Sequence, residues 1–199
     1  MNWSAKNSNG SISLSSPDGQ CQVPGDIYTD LMRSSIIGDP YYRFGDVGYR
    51  WVAYENWTYS LLQTFERSAS RGPASELMSA EDVENAALIE LIFDGLQVVA
   101  SIFIDGHRVG KTNNQFKQYS FDVTEVLQTS LQRKREQHKP TVNITVAFES
   151  SILYAREQFL NYKSLIRDNS TASSLGRTVR QMPDAPHYLR GLPYRNFIR

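Results

Sequence analysis

The amino-acid sequence predicts an all-β protein built as an antiparallel β-sandwich, and three observations carry that prediction. Short runs of alternating apolar and polar residues recur from Ser11 to about Phe148, and alternation at period two places one face of a strand in a core. Turn-forming pairs such as Pro24-Gly25, Asp94-Gly95 and Asp105-Gly106 break up these runs. Segments with helical period are few and short, which favours a sandwich over a helical or mixed fold.

In chain order, Pro24-Gly25 turns the chain at a strand edge, with Gly25 expected to supply a positive φ. Asp39-Pro40 holds Asp39 extended. Arg50–Phe65 reads as one long strand. Trp51 and Trp57 share one parity and Tyr54 takes the other, so both faces are expected to be at least partly buried. Residues 67–85 turn rich in Ser, Ala and Glu and read as an inserted loop with one helical turn, in which Glu81-Asp82 serve solubility. Leu88–Phe93 and Val98–Ile104 are strands joined by the turn Asp94–Gln97. Asp105-Gly106 then marks a tight hairpin, because both residues accept φ > 0, and Arg108-Val109-Gly110 starts the return. Thr124 is placed to cap a short helix whose apolar side is Val126, Leu127 and Leu131. Val142–Phe148 is the clearest strand: Val142, Ile144, Val146 and Phe148 face one way, and Asn143, Thr145 and Ala147 the other. Ile152–Ala155 continues that strand or bends out of it. From about 156 to 193 the alternation disappears and Pro183, Pro186 and Pro193 punctuate an irregular connector, before the apolar pair Phe197-Ile198. The expected organisation is a sandwich domain over 1–155 and a connector over 156–199.

Composition removes several classes of function. Lys+Arg and Asp+Glu both number 21, so there is no basic excess for nucleic acid. The one basic run, Arg133-Lys134-Arg135, is followed by Glu136 and reads as a solvated loop. No apolar run approaches the roughly 20 residues that span a bilayer, and the start MNWSAKN lacks the apolar stretch of a signal peptide. Cys21 is the single cysteine, which excludes an intramolecular disulfide and a cysteine-built zinc site. With no neighbouring His in sequence, it reads as a small buried apolar residue rather than a nucleophile.

His107, His138 and His187 are scattered and suggest no metal site. The chain contains no phosphate-binding loop, nucleophile elbow, dinucleotide fingerprint or calcium loop, so neither cofactor nor metal is expected. A glycosidase needs two carboxyl groups facing each other across a cleft, and no pair suggests itself; the expected catalytic residues within this chain are none. Five N-x-S/T sequons occur, at Asn2, Asn9, Asn56, Asn143 and Asn169. The excess points to a secretory protein, with Asn56, Asn143 and Asn169 the candidate glycan carriers.

More specific are the strings VPGDIYTDL (Val23–Leu31), IIGDPYYRFGD (Ile36–Asp46) and YRWVAYENWTY (Tyr49–Tyr59), followed by Phe93–Leu127, Val146–Ala155 and RNFIR (Arg195–Arg199). In this order they resemble the N-terminal domain of glycoside hydrolase family 2 β-mannosidases, across nearly the whole chain apart from 67–85 and 160–190. The resemblance implies a jelly-roll, galactose-binding-like sandwich. In that family a separate (β/α)-barrel carries both catalytic glutamates of a retaining mechanism, which removes terminal non-reducing β-mannose from oligosaccharides, in lysosomes for animal members. The implied partners are therefore that barrel, absent from this sequence, and β-mannoside glycans; nucleic acid and membrane are not expected. Tyr41, Arg43, Trp51 and Trp57 are the candidates for packing against the barrel, with a place in the core as the alternative for each.

Overall fold

The computed structural model describes residues 2–67, 79–168 and 197–198. Six strands form the main layer: β1 (Trp3–Asn7), β2 (Ser13–Ser15), β4 (Trp57–Thr64), β6 (Ala100–Ile104), β7 (His107–Thr112) and β9 (Thr141–Phe148). Every neighbouring pair in this sheet is antiparallel, in the order β2-β1-β4-β9-β6-β7. The alternation expected at Val142–Phe148 is realised in β9, where Val142, Val146 and Phe148 are buried while Asn143 is exposed. Its partners repeat the pattern, so whole rows of apolar side chains cross the sheet. One row runs Ala5, Tyr59, Val146, Ile102 and Gly110, and the next runs Leu61, Ile144 and Ile104. Matching registers keep one face apolar over all four central strands, because a one-residue slip would turn every side chain over.

The opposing layer consists of two small antiparallel pairs. β5 (Glu90–Phe93) pairs with β8 (Tyr119–Asp122), and β3 (Gly25–Asp26) pairs with β10 (Phe197–Ile198). Between them α1 (Ile27–Arg33) adds Ile27, Tyr28 and Leu31 to the core. Asp26 starts this helix: its carboxylate accepts from the Thr29 amide and hydroxyl, an N-cap followed by apolar residues at helical spacing. The layers interlock at Gly110, which ends the Tyr59 row. A β-carbon there would lie 2.0 Å from the Phe121 ring of β8, so the glycine is the socket that admits the ring. Phe121 in turn stacks on Tyr119 and meets Phe93 edge-on. At one end a second cluster forms where α4 (Ala80–Asn85) and α5 (Thr124–Arg133) cover Phe65, Ile104 and Val142.

The antiparallel sandwich expected from the sequence is therefore present, and the Asp105-Gly106 hairpin joins β6 to β7 with φ of 46° and 84°. Four local expectations are corrected. Arg50–Phe65 is not one strand: Trp51–Tyr54 forms the short helix α3, and β4 begins at Trp57, with Trp57, Tyr59 and Leu61 buried on one face and the other partly buried except at Leu62. Leu88–Phe93 and Val98–Ile104 supply strands to different layers, so the turn between them crosses the sandwich. Gly25 is absent from the positive-φ residues; it is needed because a β-carbon would come within 2.2 Å of the Gln22 carbonyl. Thr124 is the first residue of α5 rather than its side-chain cap, and its hydroxyl donates to Asp122 and accepts from the Ile89 amide. Of the two alternatives for Ile152–Ala155, the segment bends out of the last strand, into α6 (Ser151–Asp168). The hydroxyl of Ser150 accepts from the Leu153 amide at the start of this helix and donates to the Ala53 carbonyl, fastening α6 to α3. The single helical turn expected in the insertion is α4, capped by Ser79. One further helix, α2 (Gly45–Gly48), precedes α3.

Candidate functional site

The segment Gly38–Tyr54 carries an aromatic ledge on the outside of the sandwich. Tyr41 is 68% exposed, Phe44 82% and Trp51 37%, with Tyr42, Val47 and Tyr54 also exposed. Single exposed apolar residues need no explanation, but this many in one short stretch make it the candidate for an interaction surface. The ledge is held in shape by its own bonds. The Asp39 carboxylate accepts from the Tyr41 amide, and the Asp39 carbonyl from the Tyr42 amide. Gly45 packs so closely that a β-carbon would stand 2.6 Å from the Asp39 carbonyl. Tyr49 accepts a bond from the Gly38 amide through its hydroxyl, and the Tyr28 hydroxyl donates to the Tyr49 carbonyl, tying the ledge to α1. Arg43 adopts φ of 52°, a left-handed conformation uncommon for a side chain of its size, and lays its guanidinium 5.1 Å from the Tyr42 ring centroid.

Of the residues singled out for packing against another domain, Tyr41, Arg43 and Trp51 lie on this ledge. Trp57 does not: it is 0% exposed and donates its indole N–H to the Val52 carbonyl, so its place is the core. It nonetheless supports the ledge, since its ring lies 6.4 Å from that of Trp51. Phe44, the most exposed of the set, escaped the sequence reading because it sits in a string without periodicity.

A second surface feature is a polar cleft of about 440 Å³ between the β6–β7 hairpin and α5, lined by Asp105, His107, Glu125, Thr129 and Arg133 among others. Its central carboxylate is already committed. Asp105 accepts from the Lys134 ammonium, the Ser130 hydroxyl and the Asn143 amide. Burial alone would raise its pKa, but these hydrogen bonds outweigh that and hold it below the usual carboxylate range. An acid kept ionised in this way is a poor proton donor. Lys134 also donates to the Thr141 carbonyl, so the residue read as part of a solvated loop stitches α5 to β9 instead.

Two further titratable groups, Asp30 and Cys21, face inward. Asp30 is wholly buried, accepts from the Gln22 amide, Arg33 and the Tyr59 hydroxyl, and is pushed by burial up to about 6. Burial, with the Asp30 charge adding to it, drives the Cys21 thiol up to about 12, so it is protonated and unreactive. Among the described residues no group of three or more His, Cys, Asp or Glu is placed to hold a metal ion. Of the sequon asparagines, Asn143 is exposed on the outer face opposite Leu62. Asn56 is also exposed, with its side-chain oxygen accepting from the Ser150 amide, and Asn169 lies outside the described residues.

The family model described as the glycosyl hydrolase 2 galactose-binding domain-like domain matches residues 3–185. The chain belongs to this family. Within it, the chain is similar to the β-mannosidase of Capra hircus, 33% identical over 79% of this chain. It is also similar to β-mannosidase A of Aspergillus aculeatus, 36% identical over 69% of this chain. The chain spans 14% of the length of the goat protein and 12% of the fungal one. Its fold matches that of a β-D-mannosidase from Dictyoglomus thermophilum with a TM-score of 0.61 at 22% identity, over 81% of this chain and 16% of that one. This galactose-binding-like chain thus corresponds to the N-terminal domain of glycosyl hydrolase 2 β-mannosidases, and not to their catalytic part.

Proposed function

We propose that this chain acts as the accessory N-terminal domain of a β-mannosidase, whose catalytic barrel hydrolyses terminal non-reducing β-mannose residues of oligosaccharides. The observation that carries the reading is the aromatic ledge. Its side chains are held out by hydrogen bonds and close glycine packing instead of collapsing onto the core, which suits a surface that docks on a second rigid domain. Tyr41, Arg43 and Trp51 make the contact, and Trp57 supports it from beneath. Residues 1–155 supply the sandwich apart from β10, and 156–199, which return β10 to it, lead toward the barrel, with α6 spanning the two. The domain shapes the rim of the cleft while the barrel provides the acid and the nucleophile.

The sequons and the mammalian relatives support a secretory or lysosomal setting, with Asn56, Asn143 and Asn169 the candidate glycan carriers, of which Asn56 and Asn143 are exposed among the described residues. The test is enzymatic. Pure chain given 4-nitrophenyl β-D-mannoside releases no nitrophenol above the buffer rate, since hydrolysis needs a pair of free carboxyl groups across a cleft and Asp105, in the cleft beside α5, is bonded on both oxygens. Turnover by the chain alone refutes the reading.

A further inference from the structure

The polar cleft between the β6–β7 hairpin and α5 has a base and a mouth of different character. At the base the charges are already paired: the Lys134 ammonium lies 2.6 Å from the Asp105 carboxylate, which also accepts from Ser130 and the Asn143 amide. At the mouth they are not. Glu125, Thr129 and Arg133 follow one another at intervals of four residues, so they form one stripe along α5, and all three line the cleft. His107 lines it from the hairpin. These four side chains are exposed, and none of them makes a hydrogen bond or ion pair among the described residues. The helix dipole accounts for an acid in the first turn of α5 and a base in the last. It does not account for a hydroxyl between them and an imidazole on the other wall of the same cavity.

The lining selects its ligand by exclusion. Asp105 and Glu125 face Arg133 and Lys134, so with histidine set aside the cleft carries no net charge. An anion meets Glu125 as well as Arg133, and a cation meets the reverse, so a single charge gains little from the field of the site. An apolar molecule would strip water from a guanidinium and a carboxylate and return no hydrogen bond. Hydroxyl groups both donate and accept, and that is what a carboxylate, a hydroxyl, a guanidinium and an imidazole in one lining together call for. Val126, half-buried among them, offers a small apolar contact for the C–H face of a sugar ring. The volume of about 440 Å³ falls within the range of small-molecule sites, roughly 300–1,000 Å³.

We propose that this cleft is a carbohydrate site that takes an uncharged sugar of one or two rings, with its hydroxyl groups bonded to His107, Glu125, Thr129 and Arg133. The site shares no residue with the aromatic ledge, so it holds or fails independently of the docking described above.

The test is an NMR titration of the full chain with two neutral disaccharides, mannobiose and cellobiose. The expected result, for at least one of them, is a set of saturable shifts gathered at His107, Thr129 and Arg133. Thr129→Val and Arg133→Met each weaken binding about five- to tenfold, the loss of one or two hydrogen bonds. The unfolding midpoint stays where it was, because both side chains are exposed and bond to nothing in the free chain. Sodium chloride at about 0.5 M changes the affinity less than about twofold, as an uncharged ligand requires. Absence of saturable shifts with both sugars overturns the proposal, and so does binding that neither substitution weakens. Shifts at Tyr41 and Trp51 in place of the cleft overturn it in favour of stacking on the ledge. Tighter binding of glycylglycine or glucuronate at the same residues overturns it in favour of a zwitterionic or an anionic ligand.

Discussion

At the scale of single residues, two aspartates set opposite pH trends. Asp30 has its folded pKa raised to about 6, above the ordinary carboxylate value, because burial outweighs the Gln22 amide and Arg33. The folded state therefore holds the proton more tightly than the unfolded one. That contribution to stability is complete below about pH 4 and is lost as pH rises through 6, a change of roughly 3 kcal/mol by linkage. Urea unfolding at pH 4.5 and pH 7.5 should show the loss, and Asp30→Asn should flatten it. Asp105 works the other way. Its pKa is lowered, so its stabilisation is present above the unfolded carboxylate pKa and lost as pH falls through the folded one. Asp105→Asn keeps a residue tolerant of positive φ at the hairpin while weakening the bonds to Lys134 and Ser130. It should cost about 1–2 kcal/mol near neutral pH and less in acid, read from the same urea curves. Neither role was legible in the sequence: the partners of Asp105, Ser130, Lys134 and Asn143, lie far along the chain, and the burial that shifts Asp30 is set by tertiary packing.

At the scale of elements, legibility followed burial. Val142–Phe148 read correctly because one face of β9 is more deeply buried than the other, which reaches solvent at Asn143. Trp51–Tyr54 misled, since aromatics of both parities suggest a strand covered on two sides; in fact a helical turn exposes Trp51 and Tyr54 and buries Val52 and Ala53. The start of α6 was hidden behind the apolar run Ile152-Leu153-Tyr154, and the available signal was Ser150, whose side chain meets the Leu153 amide. The aromatic strings Tyr41–Phe44 and Trp51–Tyr54 were visible as letters, but only the fold separates exposed Trp51 from buried Trp57. The socket at Gly110 gives an element-level test of how the layers lock. Gly110→Ala places a β-carbon on the Phe121 ring and should destabilise the chain by about 1–3 kcal/mol, measured by thermal or urea unfolding. A neutral result would mean that β7 and β8 do not interlock there.

At the scale of the whole molecule, a large regular sheet faces a smaller layer in two pieces, and the aromatic ledge stands outside both. This division of labour, a stiff scaffold presenting an apolar surface, is what an accessory domain requires. Replacing Tyr41 and Phe44 by Ser should leave the unfolding midpoint nearly unchanged, because both rings are already exposed, while removing the docking contact. The most direct measurement mixes this chain with goat β-mannosidase lacking its matched segment and follows 4-nitrophenyl β-D-mannoside hydrolysis. The account predicts no turnover by the chain, activity gained by the truncated enzyme when the two are mixed, and none of that gain with the Tyr41→Ser, Phe44→Ser variant. Turnover by the chain alone, or a truncated enzyme indifferent to its presence, would contradict it.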